Sequence, residues 1–315
     1  MEFHFFGTGA GIPSKDRNVS AMAIRFLQHN GMVWLFDCGE GTQHQFLHSS
    51  LTLSKIEKIF ISHLHGDHIF GLPGLLGSRS FQGGRNPVTI YGPKGIQTFV
   101  ETSLTTSQTR LLYDLSYHEV TDQEICVDGN ISVQSFLLEH GLDSFGYRLT
   151  EVDKPGKLDV AKLREKGIPP GPLYERIKKG ESITLDSGEV LESSCYVGQA
   201  TKGRVVAIAG DTRETEKALS LARDADVLIH EATFRQGEED QAYQFFHSTT
   251  KQAAQLAIQA SVKYLLITHI SSRYSKEESE IEKEIQTLFP SSFLAYDHAV
   301  FTCHEKNKIL SKQPN

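Results

Sequence analysis

At 315 residues, with 39% hydrophobic and 23% charged side chains, the chain is long enough for a large core, held in one large domain or two modest ones. Its 32 basic and 39 acidic residues give a formal charge of −7, which excludes a surface that is basic throughout, so any nucleic-acid contact must be local. Cys38, Cys126, Cys195 and Cys303 are far apart and form no Cys-x-x-Cys pair, which argues against a disulfide framework or a thiolate zinc site. No basic leader precedes the first strand and no apolar run approaches ~18 residues, so a cytoplasmic protein with no membrane association is expected.

Residues 2–6 read as a short strand leading into Gly7-Thr8-Gly9-Ala10-Gly11-Ile12-Pro13, a turn whose backbone N–H groups either face an anion or simply reverse the chain. Lys15, Arg17 and Asn18 follow on the same loop, as a ligand-facing set or as a solvated charged turn. Strands are expected at 21–27 and 32–36. The second ends in Asp37, either an acceptor behind a ligand histidine or a cap for a helix over 43–48. His44 and His48 lie four apart on that helix with no acid or thiol beside them, and read as surface or packing residues.

The apolar run at 55–61 opens directly onto Ser62-His63-Leu64-His65-Gly66-Asp67-His68. On an extended chain alternate side chains share a face, so His63 and His65 can reach one cation, while a turn at Gly66 re-aims Asp67 and His68 towards a second. Imidazole and carboxylate at the end of a buried strand favour zinc-like cations. Residues 69–76 look helical but carry Gly71, Pro73 and Gly74, which suits the rim of an active site better than a core helix. Strands at 88–91, 114–119 and 131–138 follow, with a helix over 95–103. The third strand ends at His140, another histidine at a strand terminus.

From 152 to 191 the texture changes. Pro155, Gly156, Gly167, Pro169, Pro170, Gly171 and Pro172 interrupt the segment, and its apolar positions keep neither a helix nor a strand period. Residues 157–179 hold seven basic side chains (Lys157, Lys162, Arg164, Lys166, Arg176, Lys178, Lys179) against three acidic ones, an island of +4 on a remainder of −11. Such an island is either an arm that grips a polyanion or a solvated excursion without a partner. The break in composition and the opposite sign to the body favour the arm.

Alternating strands and helices then resume. A strand at 204–209 delivers Gly210-Asp211-Thr212, and a helix is expected at 215–222. A strand at 226–229 delivers His230-Glu231-Ala232-Thr233, and His247-Ser248-Thr249-Thr250 opens a helix running to about 260. A strand at 262–267 ends in His269, and a helix at 276–288 and strands at 292–296 and 299–303 complete the fold. Residues 58–63 and 264–269 each run an apolar strand into a hydroxyl residue and a histidine, a faint echo consistent with two similar halves facing one site.

His63, His65, Asp67, His68, His140, Asp211 and His269 are too many ligands for one structural zinc and suit two cations sharing a carboxylate. His63, His65 and His140 are assigned to the first, Asp67, His68 and His269 to the second, and Asp211 to the bridge. Such a pair holds a hydroxide for attack on a phosphodiester but supplies no proton to the leaving alkoxide. His247 is the candidate acid, oriented by Glu231, with the Ser248 and Thr249 hydroxyls and the helix start beside it for a phosphate; a helix-start histidine without duty is the alternative.

The His-x-His-x-Asp-His motif with His140, Asp211 and His269 is similar to the metallo-β-lactamase superfamily. Pro13-x-Lys15-x-Arg17-Asn18, His230-Glu231-Ala232-Thr233, His247-Ser248-Thr249 and Gly171-Pro172 resemble, more narrowly, the ribonuclease Z family, from about Phe3 to Tyr296 and leaving only the polar tail after His304 unmatched. The resemblance implies an αβ/βα sandwich over 1–315 with an extruded arm inserted at 152–191. It implies two zinc ions, a homodimer in which one subunit's arm serves the other's site, and removal of 3′ trailers from precursor tRNA to leave a 3′-hydroxyl. It further implies that Asp67 takes up a proton, that His247 and Glu231 assist departure, that Lys15, Arg17 and Asn18 sense the tRNA 3′ end, and that Gly171-Pro172 belongs to the gripping arm. Competing readings are a superfamily hydrolase for a small thioester, lactam or phosphodiester, and an RNA-binding protein without catalysis.

Overall fold

Strands whose side chains alternate between two apolar environments must be covered on both faces. In the strand Met32–Phe36, Met32, Trp34 and Phe36 enter one core while Val33 and Leu35 enter another. In Val227–Glu231, Val227 and Ile229 join the first core and Leu228 a third. The structure, a computed structural model, describes residues 1–313 and resolves this pattern into layers.

One sheet has eight strands in the order Leu310–Lys312, Val300–Cys303, Glu2–Gly7, Ala21–Phe26, Met32–Phe36, Ile56–Phe60, Val88–Gly92 and Leu115–Glu119. The other has seven, ordered Ser292–Leu294, Tyr264–Thr268, Val227–Glu231, Val205–Ile208, Ser144–Glu151, Ile131–Leu138 and Glu124–Asp128. Their facing sides share a core that includes Phe3, Trp34, Phe60, Tyr147, Ile229 and Leu266. The outer face of the first sheet packs on helices Leu72–Phe81 and Ile96–Thr106 through Leu75, Leu76 and Val100. The outer face of the second packs on Glu216–Ala222, Thr250–Gln259 and Glu278–Leu288 through Leu221, Ala254 and Ile285. The result is the αβ/βα sandwich expected from the sequence.

In each sheet the strands that carry the motifs run parallel: Met32–Phe36 beside Ile56–Phe60, and Val205–Ile208 beside Val227–Glu231 beside Tyr264–Thr268. Their carboxyl ends deliver Asp37, His63, Asp211, Glu231 and His269, the place where open parallel sheets take ligands.

Several elements differ from expectation. The helical stretch after the histidine motif is two helices, Gly66–Ile69 and Leu72–Phe81, parted at Gly71, where a Cβ would lie 2.1 Å from the Gly39 carbonyl oxygen. Pro73 sits in the first turn of the second helix, where its missing N–H costs nothing. The strands Glu124–Asp128 and Ser144–Glu151, the helix Glu239–Gln244 and the strand Leu310–Lys312 in the polar tail are additional.

The described chain falls into two compact units, Met1–Leu149 with the chain from Val205 onward, and Thr150–Arg204. The smaller unit is not irregular. Helices Val160–Glu165 and Pro172–Lys178 and the hairpin Ile183–Thr184/Val190–Leu191 enclose a core of Leu163, Ile168, Ile177, Ile183, Leu191 and Tyr196. All seven basic residues of 157–179 are exposed. The only charged residues at 180–196 are acidic, Glu181, Asp186, Glu189 and Glu192, and Glu181 and Glu189 pair with Arg176 and Lys166. No described helix is long and apolar enough to cross a membrane.

The two ends of the smaller unit are tied together by a buried fork. Arg204 Nε donates to Glu151 Oε2 at 2.7 Å and Nη2 to Oε1 at 2.6 Å, with the Glu151 N–H donating to the Arg204 carbonyl at 2.9 Å. Burial pushes the Glu151 carboxyl up, but the Arg204 hydrogen bonds and charge outweigh it and hold the group below its ordinary range. A depressed folded pKa stabilises above the unfolded value of about 4.3 and is lost as pH falls through the folded value. Glu151→Ala strips the buried Arg204 guanidinium of its forked carboxylate and should cost about 3–5 kcal/mol. Proteolysis within 150–204 should then become rapid at pH 7, as it should for the unaltered protein only in acid; unchanged resistance of the variant would show the fork to be dispensable.

Candidate active site

The residues gathered at the strand ends form one cluster. His63 Nε2 lies 3.0 Å from His65 Nδ1, and His140 Nε2 lies 3.2 Å from the same atom. Asp211 Oδ2 lies 3.8 Å from His63 Nε2, 3.4 Å from His68 Nε2 and 3.3 Å from His269 Nε2. Asp67 Oδ2 is 3.5 Å from both His68 Nε2 and His269 Nε2. The donor sets His63/His65/His140 and Asp67/His68/His269, with Asp211 touching both, are therefore assembled from four separate segments.

Hydrogen bonds behind the rings decide which nitrogens are free. His68 Nδ1 faces Asp37 Oδ2 at 2.8 Å, and a carboxylate only accepts, so the proton sits on Nδ1. Ser62 Oγ donates to the same oxygen at 2.9 Å and has no second proton, so it accepts from His63 Nδ1 at 2.9 Å. Thr233 Oγ1 likewise donates to Glu231 Oε2 at 2.8 Å and accepts from His269 Nδ1 at 2.8 Å. His140 Nδ1 donates to the Phe246 carbonyl at 2.8 Å. All four Nε2 atoms then carry lone pairs directed inward. Those of His68 and His269 are buried with no hydrogen-bond partner among the described residues. Lone pairs facing one another at such distances fit cations between them.

Burial and neighbouring charge act differently on the individual groups. Burial pushes His63 well below its ordinary pKa, with the neighbouring His68 adding to the effect, and burial together with His140 lowers His65. For Asp211 and Asp67, burial opposes ionisation, but the neighbouring His269 and His68 imidazoles outweigh it and keep both groups below the carboxylate range, and Asp211 and Asp37 in turn overcome burial and raise His68; a cation seated among the donors would take over the charge that His68 otherwise carries. Asp37 and His269 adopt positive φ, 55° and 57°, strain of the kind stored where a side chain must be aimed. The glycine turn does face an anion: the Gly11 N–H donates to Asp67 Oδ2 at 2.9 Å.

His247 stands beside the metal donors and outside their closest set. Its Nδ1 is 2.8 Å from Glu231 Oε1 and 3.9 Å from Asp211 Oδ2. Burial opposes its charge, yet Glu231 prevails and the imidazole is pushed up to about 9. Glu231 is buried and also accepts the N–H groups of Thr212, Thr233 and Ser248 at 3.2, 2.9 and 3.1 Å. One carboxylate thus orients His247 directly and His269 through Thr233.

The remaining candidates lie differently. Lys15 is exposed. Arg17 is 4% exposed and is turned inward, with Nε donating to Glu278 at 2.7 Å and Nη1 to Thr8 Oγ1 and the Ala295 carbonyl. Its charge is consumed in holding its own loop, so ligand contact by this side chain is not what the structure provides. Asn18 bonds Asp297 through its N–H and the Glu40 carbonyl through its amide. Ser248 Oγ donates to the Thr212 carbonyl, and Thr249 caps the following helix in a reciprocal box with Gln252, so both hydroxyls are engaged within the fold. Gly171 and Pro172 are exposed at the start of a helix in the smaller unit. Ser62, Thr233 and the Phe246 carbonyl were given no role from the sequence, although Ser62 opens the histidine motif and Thr233 lies inside His-Glu-Ala-Thr.

The metallo-β-lactamase fold protein YhfI from Bacillus subtilis matches this structure with a TM-score of 0.66 over 95% of this chain and 98% of its own, at 16% identity. With the histidine and aspartate cluster at the sheet ends, this defines the class by its fold: a protein of metallo-β-lactamase fold that carries a cluster of candidate metal donors. A family profile described as "Anti-Pycsar protein Apyc1" matches residues 1–143, less than half of the chain. Over nearly the whole length, a ribonuclease Z of Bacillus thuringiensis (strain Al Hakam) is 54% identical, covering 94% of this chain and 97% of that one. The crystal structure of human tRNase Z, short form (ELAC1), superposes with a TM-score of 0.70 at 32% identity, over 96% and 99% of the two chains. The chain belongs to the ribonuclease Z family.

Thr233→Val keeps shape but removes the bond that fixes His269. Loss of such a partner typically weakens metal binding 10–100-fold. Chelator competition should show that loss for one cation of the cluster, and retention of both at unaltered affinity would refute the relay.

Proposed function

We propose that the chain removes the 3′ trailer from precursor tRNA as a zinc-dependent endoribonuclease, leaving a 3′-hydroxyl on the tRNA. The observation that carries the reading is the His247–Glu231 contact of 2.8 Å set 3.9 Å from Asp211, which puts a proton-bearing group beside a set of metal donors. His63, His65 and His140 would hold one zinc ion and Asp67, His68 and His269 another, with Asp211 beside both sets, and such ions would supply Lewis acidity toward water and the phosphoryl oxygens.

A cut that leaves a 3′-hydroxyl breaks the P–O3′ bond, so the departing oxygen is the tRNA's own and needs a proton. His247 holds one, and Glu231 keeps the ring aimed and stabilises its charge. Asp67 remains ionised and accepts the proton of the attacking water. Lys15 is the cation of its loop free to meet the tRNA 3′ end, with Arg17 and Asn18 fixing the loop behind it. The 152–191 segment is read as a tRNA-gripping insertion within a single catalytic domain, with Gly171-Pro172 at its helix start and its positive charge confined to 157–179. The protein is further read as a cytoplasmic homodimer.

Precursor tRNA with a 3′ trailer, a thioester and a β-lactam, each offered with and without chelator, separate the alternatives. The tRNA should be cut at the trailer junction only without chelator; tRNA binding with no chelator-sensitive cut would sink the proposal. His247→Ala should lower turnover by about 10²–10⁴-fold with metal content intact, and loss of zinc in that variant would reassign His247 as a ligand. Replacing Lys157, Arg164 and Lys178 with alanine leaves the small core untouched. It should weaken tRNA processing and its salt dependence while sparing a small phosphodiester; equal loss of both would make the segment structural.

A further inference from the structure

The turn that carries His247 also exposes aromatic rings for which the chemistry above has no use. After the helix Glu239–Gln244, Phe245 is 62% exposed and Tyr243 61%. The turn is firmly built: Phe246 adopts φ 59°, its N–H donates to the Tyr243 carbonyl, and the His247 N–H donates to the Ala242 carbonyl at 2.8 Å. The Phe246 carbonyl holds His140, so these rings are anchored to a metal donor on one side and to the acid on the other. Phe245 lies nearly parallel to the buried Phe234, centroids 6.2 Å apart and planes 20° apart, and Phe234 in turn stands 6.3 Å from the His247 ring. Cations flank the row. Arg273 is exposed with its guanidinium 5.1 Å above Phe234, and Arg213 covers Tyr243 at 4.2 Å and Phe246 at 4.6 Å.

A rigid exposed ring backed by a second ring and bordered by arginines is the composition of a surface that stacks an unpaired base and steadies its phosphates. Its continuity with the cleavage site says which base. If His247 protonates O3′, the nucleotide nearest His247 is the one that keeps that oxygen, and its base extends away from the metals along the Phe234–Phe245 row. We infer that Phe245 is a stacking platform for the unpaired base immediately 5′ of the scissile phosphate. This positions O3′ for His247. The inference rests on the ribonuclease reading, and the test below separates the two.

Cleavage of precursor tRNA by the full-length protein is compared with that of the same RNA made abasic at the nucleotide 5′ of the cut, for the unaltered protein, Phe245→Ala and Phe245→Trp. Stacking of one base is worth about 1–3 kcal/mol, so Phe245→Ala should lower kcat/KM roughly 5- to 150-fold on intact RNA, and Phe245→Trp should restore it. The abasic RNA should lose a similar factor with the unaltered protein and lose little more with Phe245→Ala, because both changes delete one contact. Independent, multiplying losses, or no loss in Phe245→Ala, would overturn the platform. An equal loss on a small phosphodiester would overturn it in favour of packing around His247, and a change in subunit number in favour of a contact between copies. Failure of the unaltered protein to cut intact RNA would instead refute the ribonuclease reading.

Discussion

A carboxylate buried in a protein interior is tolerated only where donors or cations surround it. Asp211, 3% exposed, is such a group, and its Oδ2 lies within 3.8 Å of ring nitrogens from His63, His68 and His269. His63 and His68 follow a strand of the first sheet, and Asp211 and His269 follow strands of the second. The arrangement therefore exists only when both sheets are packed face to face on their shared aromatic core. Gly210 marks how closely they approach, since a Cβ there would lie 2.7 Å from both Ser62 Cβ and Ser144 Oγ.

Behind the ligands, two short relays orient the His63, His68 and His269 rings. Asp37 and Ser62 act on His63 and His68, and Glu231 and Thr233 act on His269, while Glu231 also holds His247. Each relay starts from a carboxylate that can only accept, so the hydroxyl protons have one direction to point and the ring nitrogens behind them follow. Joining metal donor and acid through Glu231 fixes their spacing within one rigid group. The same economy places the exposed rings at 243–245 on the turn that binds His140 and His247.

The smaller unit obeys a different logic. Its core is six residues, and closure at its base rests on the Glu151–Arg204 fork. Acidic residues at 181, 189 and 175 pair with Arg176, Lys166 and Lys179, so part of the positive island is balanced locally and the charge without a carboxylate partner among the described residues is on Lys157, Lys162, Arg164 and Lys178. Exposed pairs of this kind contribute little to stability. Their effect is on where a polyanion meets net charge.

The sandwich was legible in the sequence through the motifs that resemble ribonuclease Z; the structure supplies its physical reason, since strands buried on both faces need helices outside two sheets. The candidate metal donors could be named from the sequence too, because His63, His65, Asp67 and His68 crowd one strand end and His140, Asp211 and His269 each follow another. Edge strands such as Glu124–Asp128 and Leu310–Lys312 were not legible, since half-exposed pairing at a sheet edge leaves little apolar signal. Nor was the order in the smaller unit, whose helices of six and seven residues are too short to show a period and are held by contacts distant in sequence. Only the tertiary structure decided that Arg17 is bound inward by Glu278, 261 positions away, that the Ser248 hydroxyl is spent on Thr212, and that Thr233 sets the proton on His269. Residue type and spacing announce which atoms can bind a metal. Which of them are free to do so depends on partners brought together from across the chain.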